Sequence, residues 1–217
     1  DVKFFPEGGA LLTVAHQNIA FKAQGSDDFS TEIEGFLFDA NGDTLTAFRS
    51  EHDGMGVFTL NPTVGNSYYV IAKSGDGISK RFDLPAVEEK GITLSMTHYK
   101  KEIRYEIQKT EATEWPQKLF LIAHTRGKLV ILQPVSVDRT FGRMNDSLFN
   151  AGITHFMLID QQGNALSERL VFIPDRNPHQ WQILADKPTY GKREKVSLQI
   201  SAKDRSEEHT SELQSHL

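Results

Sequence analysis

The chain has 217 residues, of which 24% are charged and 38% hydrophobic, and a formal net charge of -5. That composition suits one or two folded domains; with an acidic balance and Lys100-Lys101 no more than a pair, it argues against a nucleic-acid partner, whose phosphates demand a basic patch. The lack of cysteine excludes a disulfide framework, a thiolate zinc site and an internal Cys–Gln thioester, and no apolar run approaches the roughly 20 residues a bilayer-crossing helix needs.

Asp1 leads straight into a strand-like segment at residues 2–5, without a signal-peptide pattern, so the sequence reads as an internal fragment. Ile19, Phe21 and Ala23 then alternate with Ala20, Lys22 and Gln24, the period of two that marks a half-buried strand. Residues 32–38 and 45–49 flank Asp39-Ala40-Asn41-Gly42-Asp43, a hairpin signal because Asn-Gly accepts the positive φ of a tight turn. With 57–60, 68–73 and 79–84, this makes about seven strands. Seven short strands with regular turn signals predict an immunoglobulin-like β-sandwich.

The charged stretch 85–91 breaks the pattern and reads as a linker. A second set follows: 93–98, then Ile103, Tyr105 and Ile107 in alternation, then 119–124 and 129–133 about Arg126-Gly127. Residues 135–137 lead toward Phe141, and 154–159 and 165–173 flank Asp160-Gln161-Gln162-Gly163-Asn164. The sequence therefore predicts an all-β chain of tandem immunoglobulin-like, seven-stranded sandwiches at 1–84 and 92–174, joined by 85–91. Val196, Leu198 and Ile200 open a truncated third sandwich at 175–204. Residues 205–217, beginning Arg205-Ser206-Glu207-Glu208-His209, match the translation of a short-read sequencing adapter. They are treated as an artefact not expected to fold.

Four motifs taken in order resemble the macroglobulin-like (MG2/MG3-type) tandem-domain exported proteins of Bacteroidota. They are Phe4-Phe5-Pro6-Glu7-Gly8-Gly9; Ser50 to Phe58 with His52, Gly54, Met55 and Gly56; Ser167-Glu168-Arg169-Leu170-Val171-Phe172; and Asp186 to Val196 with Tyr190. The resemblance implies structural roles for Pro6, Gly8, Gly9, His52, Gly54, Met55, Gly56, Arg169 and Tyr190. It implies a macroglobulin-like fold and export to the periplasm or the outer-membrane surface. The partners it implies are other envelope proteins or further domains of the same chain. Protease trapping, the activity of the wider fold family, needs a bait region and usually a thioester, and neither is visible. Asp43-Thr44-Leu45 and Asp146-Ser147-Leu148 resemble the O-glycosylation acceptor pattern of such proteins, which makes Thr44 and Ser147 candidate acceptors.

Each more active reading has a plainer competitor. Asp39 to Asp43 resembles the start of a calcium loop, but the twelfth position, where a bidentate Glu is needed, is Ser50, so a hairpin turn is favoured. Ser50, Glu51, His52 and Asp53 suggest a triad, yet adjacent turn residues rarely meet triad geometry; Gly54 and Gly56 instead predict a tight turn or bulge with Met55 plugging the sandwich edge. Gly8-Gly9 lacks the helix a phosphate loop requires. His16, His98, His124, His155 and His179 are dispersed, and zinc would need convergence from distant strands. Trp115 and Trp181 lie near predicted loops or junctions, where interdomain packing is favoured over a sugar- or protein-gripping role. No catalytic, cofactor-binding or metal-binding residue is therefore expected. The leading function is a non-catalytic structural or protein-interaction fragment of an envelope protein. The alternatives are a glycan- or peptide-binding module, or an accessory domain of a larger envelope enzyme or TonB-linked receptor.

Overall fold

A computed structural model describes residues 1–176, 180–203 and 213–214. It forms two compact units, Asp1–Ile173 and Pro174–Leu217. The first contains two seven-stranded β-sandwiches in tandem.

In the first sandwich, β1 (Val2–Pro6), β3 (Gln17–Ala23) and β6 (Met55–Leu60) form one sheet in the order β1-β3-β6. The opposing sheet runs β5-β4-β7-β8, from β4 (Ile33–Asp39), β5 (Thr44–Arg49), β7 (Tyr68–Ser74) and β8 (Ser79–Asp83). All these ladders are antiparallel. Alternation decides which face each strand buries: β3 turns Gln17, Ile19, Phe21 and Ala23 inward. Phe21, Phe48 and Phe58 meet at the centre, with ring centroids 5.2 to 6.3 Å apart. Truncating a ring as enclosed as Phe21 costs about 3–5 kcal/mol.

The second sandwich repeats the plan. Its sheets are β10-β11-β14, from β10 (Ile92–Tyr99), β11 (Glu102–Lys109) and β14 (Phe141–Asn145), and β13-β12-β15-β16, from β12 (Leu119–Thr125), β13 (Lys128–Val135), β15 (Gly152–Asp160) and β16 (Ala165–Ile173). It has its own core around Leu94, Ile103, Leu121, Phe156 and Leu158. The one helical turn among the described residues is a 3₁₀ turn at Asp146–Leu148.

Several details depart from the sequence reading. Residues 135–137 form no strand of their own: Val135 closes β13, and the next strand starts at Phe141. Within 85–91, β9 (Val87–Glu88) pairs in parallel with β2 (Leu11–Leu12), so this stretch is bound to the first sandwich rather than free of it. In the second unit β17 (Gln180–Ala185), β18 (Leu198–Lys203) and β19 (Leu213–Gln214) form an antiparallel sheet. Leu213 and Gln214 take strand conformation within a tail expected to be disordered or to pack without burial; 205–212 and 215–217 lie outside the described residues.

Candidate functional site at the sandwich junction

The loop after β1 leaves the first sandwich and enters the second. Gly8 has φ +87°, and a Cβ there would lie 2.0 Å from Thr93 Oγ1 and 2.9 Å from Ser167 Oγ. Glycine is required twice over, by backbone conformation and by space. The backbone it exposes is engaged at once. Thr93 Oγ1 donates to the Glu7 carbonyl (3.0 Å), and Ser167 Oγ donates to the Gly8 carbonyl (3.0 Å) while accepting from Leu94 N–H (2.9 Å).

Glu7 is buried, its side chain 7% exposed, and its carboxylate is well supplied with donors. Arg169 Nη2 lies 3.2 Å from Oε1, Met96 N–H donates to Oε1 (3.3 Å), and Asn18 Nδ2 donates to Oε2 (2.9 Å). Arg169 stands opposite Phe156 in the register, so it points between the sheets toward β10 rather than to the outside. Gln17 completes the loop. Its Nε2 donates to the Glu7 and Ala10 carbonyls and its Oε1 accepts from Leu12 N–H. Leu12 in turn covers Gly91, where a Cβ would lie 2.6 Å from Leu12 Cδ2. Residues from both ends of the pair therefore converge on one polar, desolvated joint. A buried carboxylate with three donors is stable only while they stay in place.

The other motif residues act locally. Pro6 is buried at the end of β1 opposite Ile19. Gly9 has φ +107° with open space beside it. Asp53 (φ +48°) and Gly54 (φ +66°) are the central pair of a type I′ hairpin closed by Met55 N–H on the His52 carbonyl (2.8 Å). A Cβ on Gly54 would meet Ala23 O at 2.6 Å, and one on Gly56 would meet the Phe21 ring at 2.5 Å. Met55 does not plug the edge: it is 43% exposed, because it pairs with Lys22 on the outward face while Gly56 takes the inward position beneath Phe21. In the second unit the Tyr190 hydroxyl donates to Asp186 Oδ1 (2.6 Å) and accepts from Lys187 N–H (3.1 Å). That bond first, then Ser197 N–H, holds the Asp186 carboxyl below its ordinary pKa, and it raises the Tyr190 phenol above its own. Lys187 and Glu194 pair beside them.

The candidate chemistry does not assemble. Ser50 Oγ accepts from Ile33 N–H (3.0 Å), and the His52 side chain is 80% exposed, 3.3 Å from Asp53. Asp39 Oδ1 accepts from Asn41 and Asp43 N–H (2.9 Å each), as an Asx turn does. His16 is exposed and His98 pairs with Asp146 (3.2 Å); His179, His209 and His216 lie outside the described residues. His124 and His155, far apart in sequence, face each other across β12 and β15 with ring centroids 5.0 Å apart, and His155 Nε2 lies 2.9 Å from Glu168. Among the described residues no three His, Asp or Glu side chains are grouped to hold a metal. Trp115 packs against its own sandwich's core, with Lys109 over the ring, rather than at a junction. Trp181 is 66% exposed. Thr44 and Ser147 are exposed, Ser147 at the 3₁₀ turn and Thr44 at the start of β5.

The outer faces of the two four-stranded sheets differ. On the first, rows Arg49–Glu34–Lys73 and Ala47–Phe36–Ile71–Arg81 alternate charge with apolar surface, and Arg81 lies 3.7 Å over a Tyr69 ring that stacks on Phe38. A groove of about 690 Å³ runs there, floored by Phe36, Val57 and Ile71 and rimmed by Glu34, Arg49 and Lys73. On the second, rows Leu129–His124–His155–Leu170 and Leu132–Ile122–Met157–Glu168 carry one Asp, Glu, Lys or Arg between them.

The sequence matches no protein-family model and no curated protein. Among solved structures it is similar to the crystal structure of invasin, a bacterial integrin-binding protein, at 12% identity and a TM-score of 0.34. The alignment covers 97% of this chain and 47% of that one, so the chain spans about half the length of that structure. A likeness at this level assigns no role to any residue here. Among the described residues no helix is long and apolar enough to cross a membrane.

Proposed function

We propose that the chain is a non-catalytic structural and protein-interaction piece of an exported, macroglobulin-like envelope protein, in which the first two sandwiches act as one rigid bracket. The observation that carries this reading is the joint: Glu7 buried on Arg169 and Met96, with Gly8 pressed on Thr93 and Ser167. A flexible tether would expose such groups to water; here they are spent on fixing one sandwich against the next. The order of the four motifs supports the macroglobulin-like assignment, and two of those motifs supply the two sides of the joint. Exposed Thr44 and Ser147 accord with glycosylation at an envelope surface. The test is to assay the full chain against peptide, ester and glycan substrates, with and without divalent metal. No turnover is expected. Turnover lost in His52→Ala, in a variant with unchanged melting temperature, would overturn the reading.

A second reading is favoured by the groove on the first sandwich, where exposed Phe36 and the Phe38–Tyr69–Arg81 stack offer a platform for a sugar ring or a peptide side chain. Calorimetric titration with oligosaccharides and short peptides tests it. Binding abolished by Phe36→Ala would support it, and no heat from any ligand would remove it.

A further inference from the structure

We propose that the outer face of the sheet β13-β12-β15-β16 is a self-association surface on which a second copy of this chain docks face to face. The proposal rests on the interaction reading above and supplies its partner. An antiparallel sheet with one solvated face normally places polar residues there. Here Leu129, Leu132, Ile153, Leu170 and Phe172 are each more than half exposed. Register puts all five on one side: Ile153 lies opposite Phe172, and His124 and His155 link Leu129 to Leu170 across the sheet. Four strands about 4.8 Å apart, with outward residues about 6.7 Å apart along each, project to roughly 500 Å² over four rows. That matches the largest apolar patch of a typical monomer, which is often functional, and lies within a factor of about two of the ~800 Å² each partner contributes to a standard interface.

Charge selects the occupant. Glu168 is the one acidic residue on the face, and His155 already holds it at 2.9 Å. A charged partner surface would find nothing to pair with and would be stripped of water at a cost. That removes the matching face of the first sandwich, which carries Glu34, Arg49, Lys73, Arg81 and Asp83. The same face on a second copy is apolar, nearly uncharged and of equal size, and a two-fold pair uses one such patch twice. Two sheets meeting this way pack about 10 Å apart with side chains interleaved, as the inner faces of a sandwich do.

The experiment is sedimentation equilibrium of the full 217-residue chain from about 1 to about 200 µM, the range in which a micromolar dissociation constant is resolved. The mass should rise from 24.4 kDa toward twice that value. Leu170→Glu should weaken association by about 100-fold or more by burying an unpaired charge, with an unchanged melting temperature because Leu170 faces solvent in the monomer. Ile71→Glu, on the first sandwich, should leave the mass curve unchanged. A mass of 24.4 kDa at every concentration, or equal weakening by Ile71→Glu, would overturn the proposal. A monomer whose two sandwiches still keep a fixed separation would remove self-association alone; a variable separation would remove the rigid-bracket reading whatever the mass.

Discussion

Two glycine-bearing turns of the first sandwich look alike as sequence and behave differently. His52-Asp53-Gly54-Met55 closes on itself: its hydrogen bonds run within the hairpin and to Lys22, Ala23 and Glu32 of the same sandwich. Pro6-Glu7-Gly8-Gly9 reaches out: its carbonyls and carboxylate are taken by Thr93, Met96, Ser167 and Arg169 of the next sandwich. The difference lies in what the turn exposes. The first offers His52 and Asp53 to water, while the second buries a Glu whose Oε2 is held by Asn18 of its own sandwich and whose Oε1 is held by Arg169 and Met96 of the neighbour. A glycine turn thus becomes a junction when it carries a desolvated group whose partner lies in another domain.

Substitutions separate the two turns. Gly8→Ala should be the most damaging, since it meets Thr93 Oγ1 at 2.0 Å and needs φ +87°; denaturant titration should show a loss of about 3 kcal/mol. Arg169→Met leaves Glu7 buried on Met96 and Asn18 alone and should cost about 2 kcal/mol, discounted because Arg169 is itself a third exposed. Adding Glu7→Leu to it should recover part of that loss, a coupling a double-mutant cycle measures directly. Gly54→Ala should cost about 1–2 kcal/mol, because φ +66° and Ala23 O at 2.6 Å resist it. His52→Ala, at an 80% exposed side chain, should stay within about 0.5 kcal/mol in the same titration. If His52→Ala proved as costly as Arg169→Met, the distinction between the turns would fail.

Alternation made the strands legible. Ile103, Tyr105 and Ile107 fall on β11, and the Asn-Gly and Gln-Gly turns fall where φ is positive, at Gly42 and Gly163. Strands of two residues, Leu11–Leu12 and Val87–Glu88, carry no period to read, so the stretch between the sandwiches looked like an open linker. Met55 and Gly56 show how one residue of register decides a role: both were visible, but which faced Phe21 was not. The joint itself was half legible. Its motifs stood out, yet Glu7 and Arg169 are separated by a whole sandwich, and no local pattern says that they meet. The His124–His155 pair was hidden in the same way, since each is one outward position on a different strand.

The rigid joint is tested most directly by a distance across it. The chain has no cysteine, so Ser79→Cys in the first sandwich and Lys128→Cys in the second accept spin labels at exposed sites without background. Pulsed electron–electron resonance on this pair should give a single narrow distance distribution, broadened when Gly8→Ala and Arg169→Met are added together. A distribution as broad in the unaltered joint as in the doubly altered one would contradict the account.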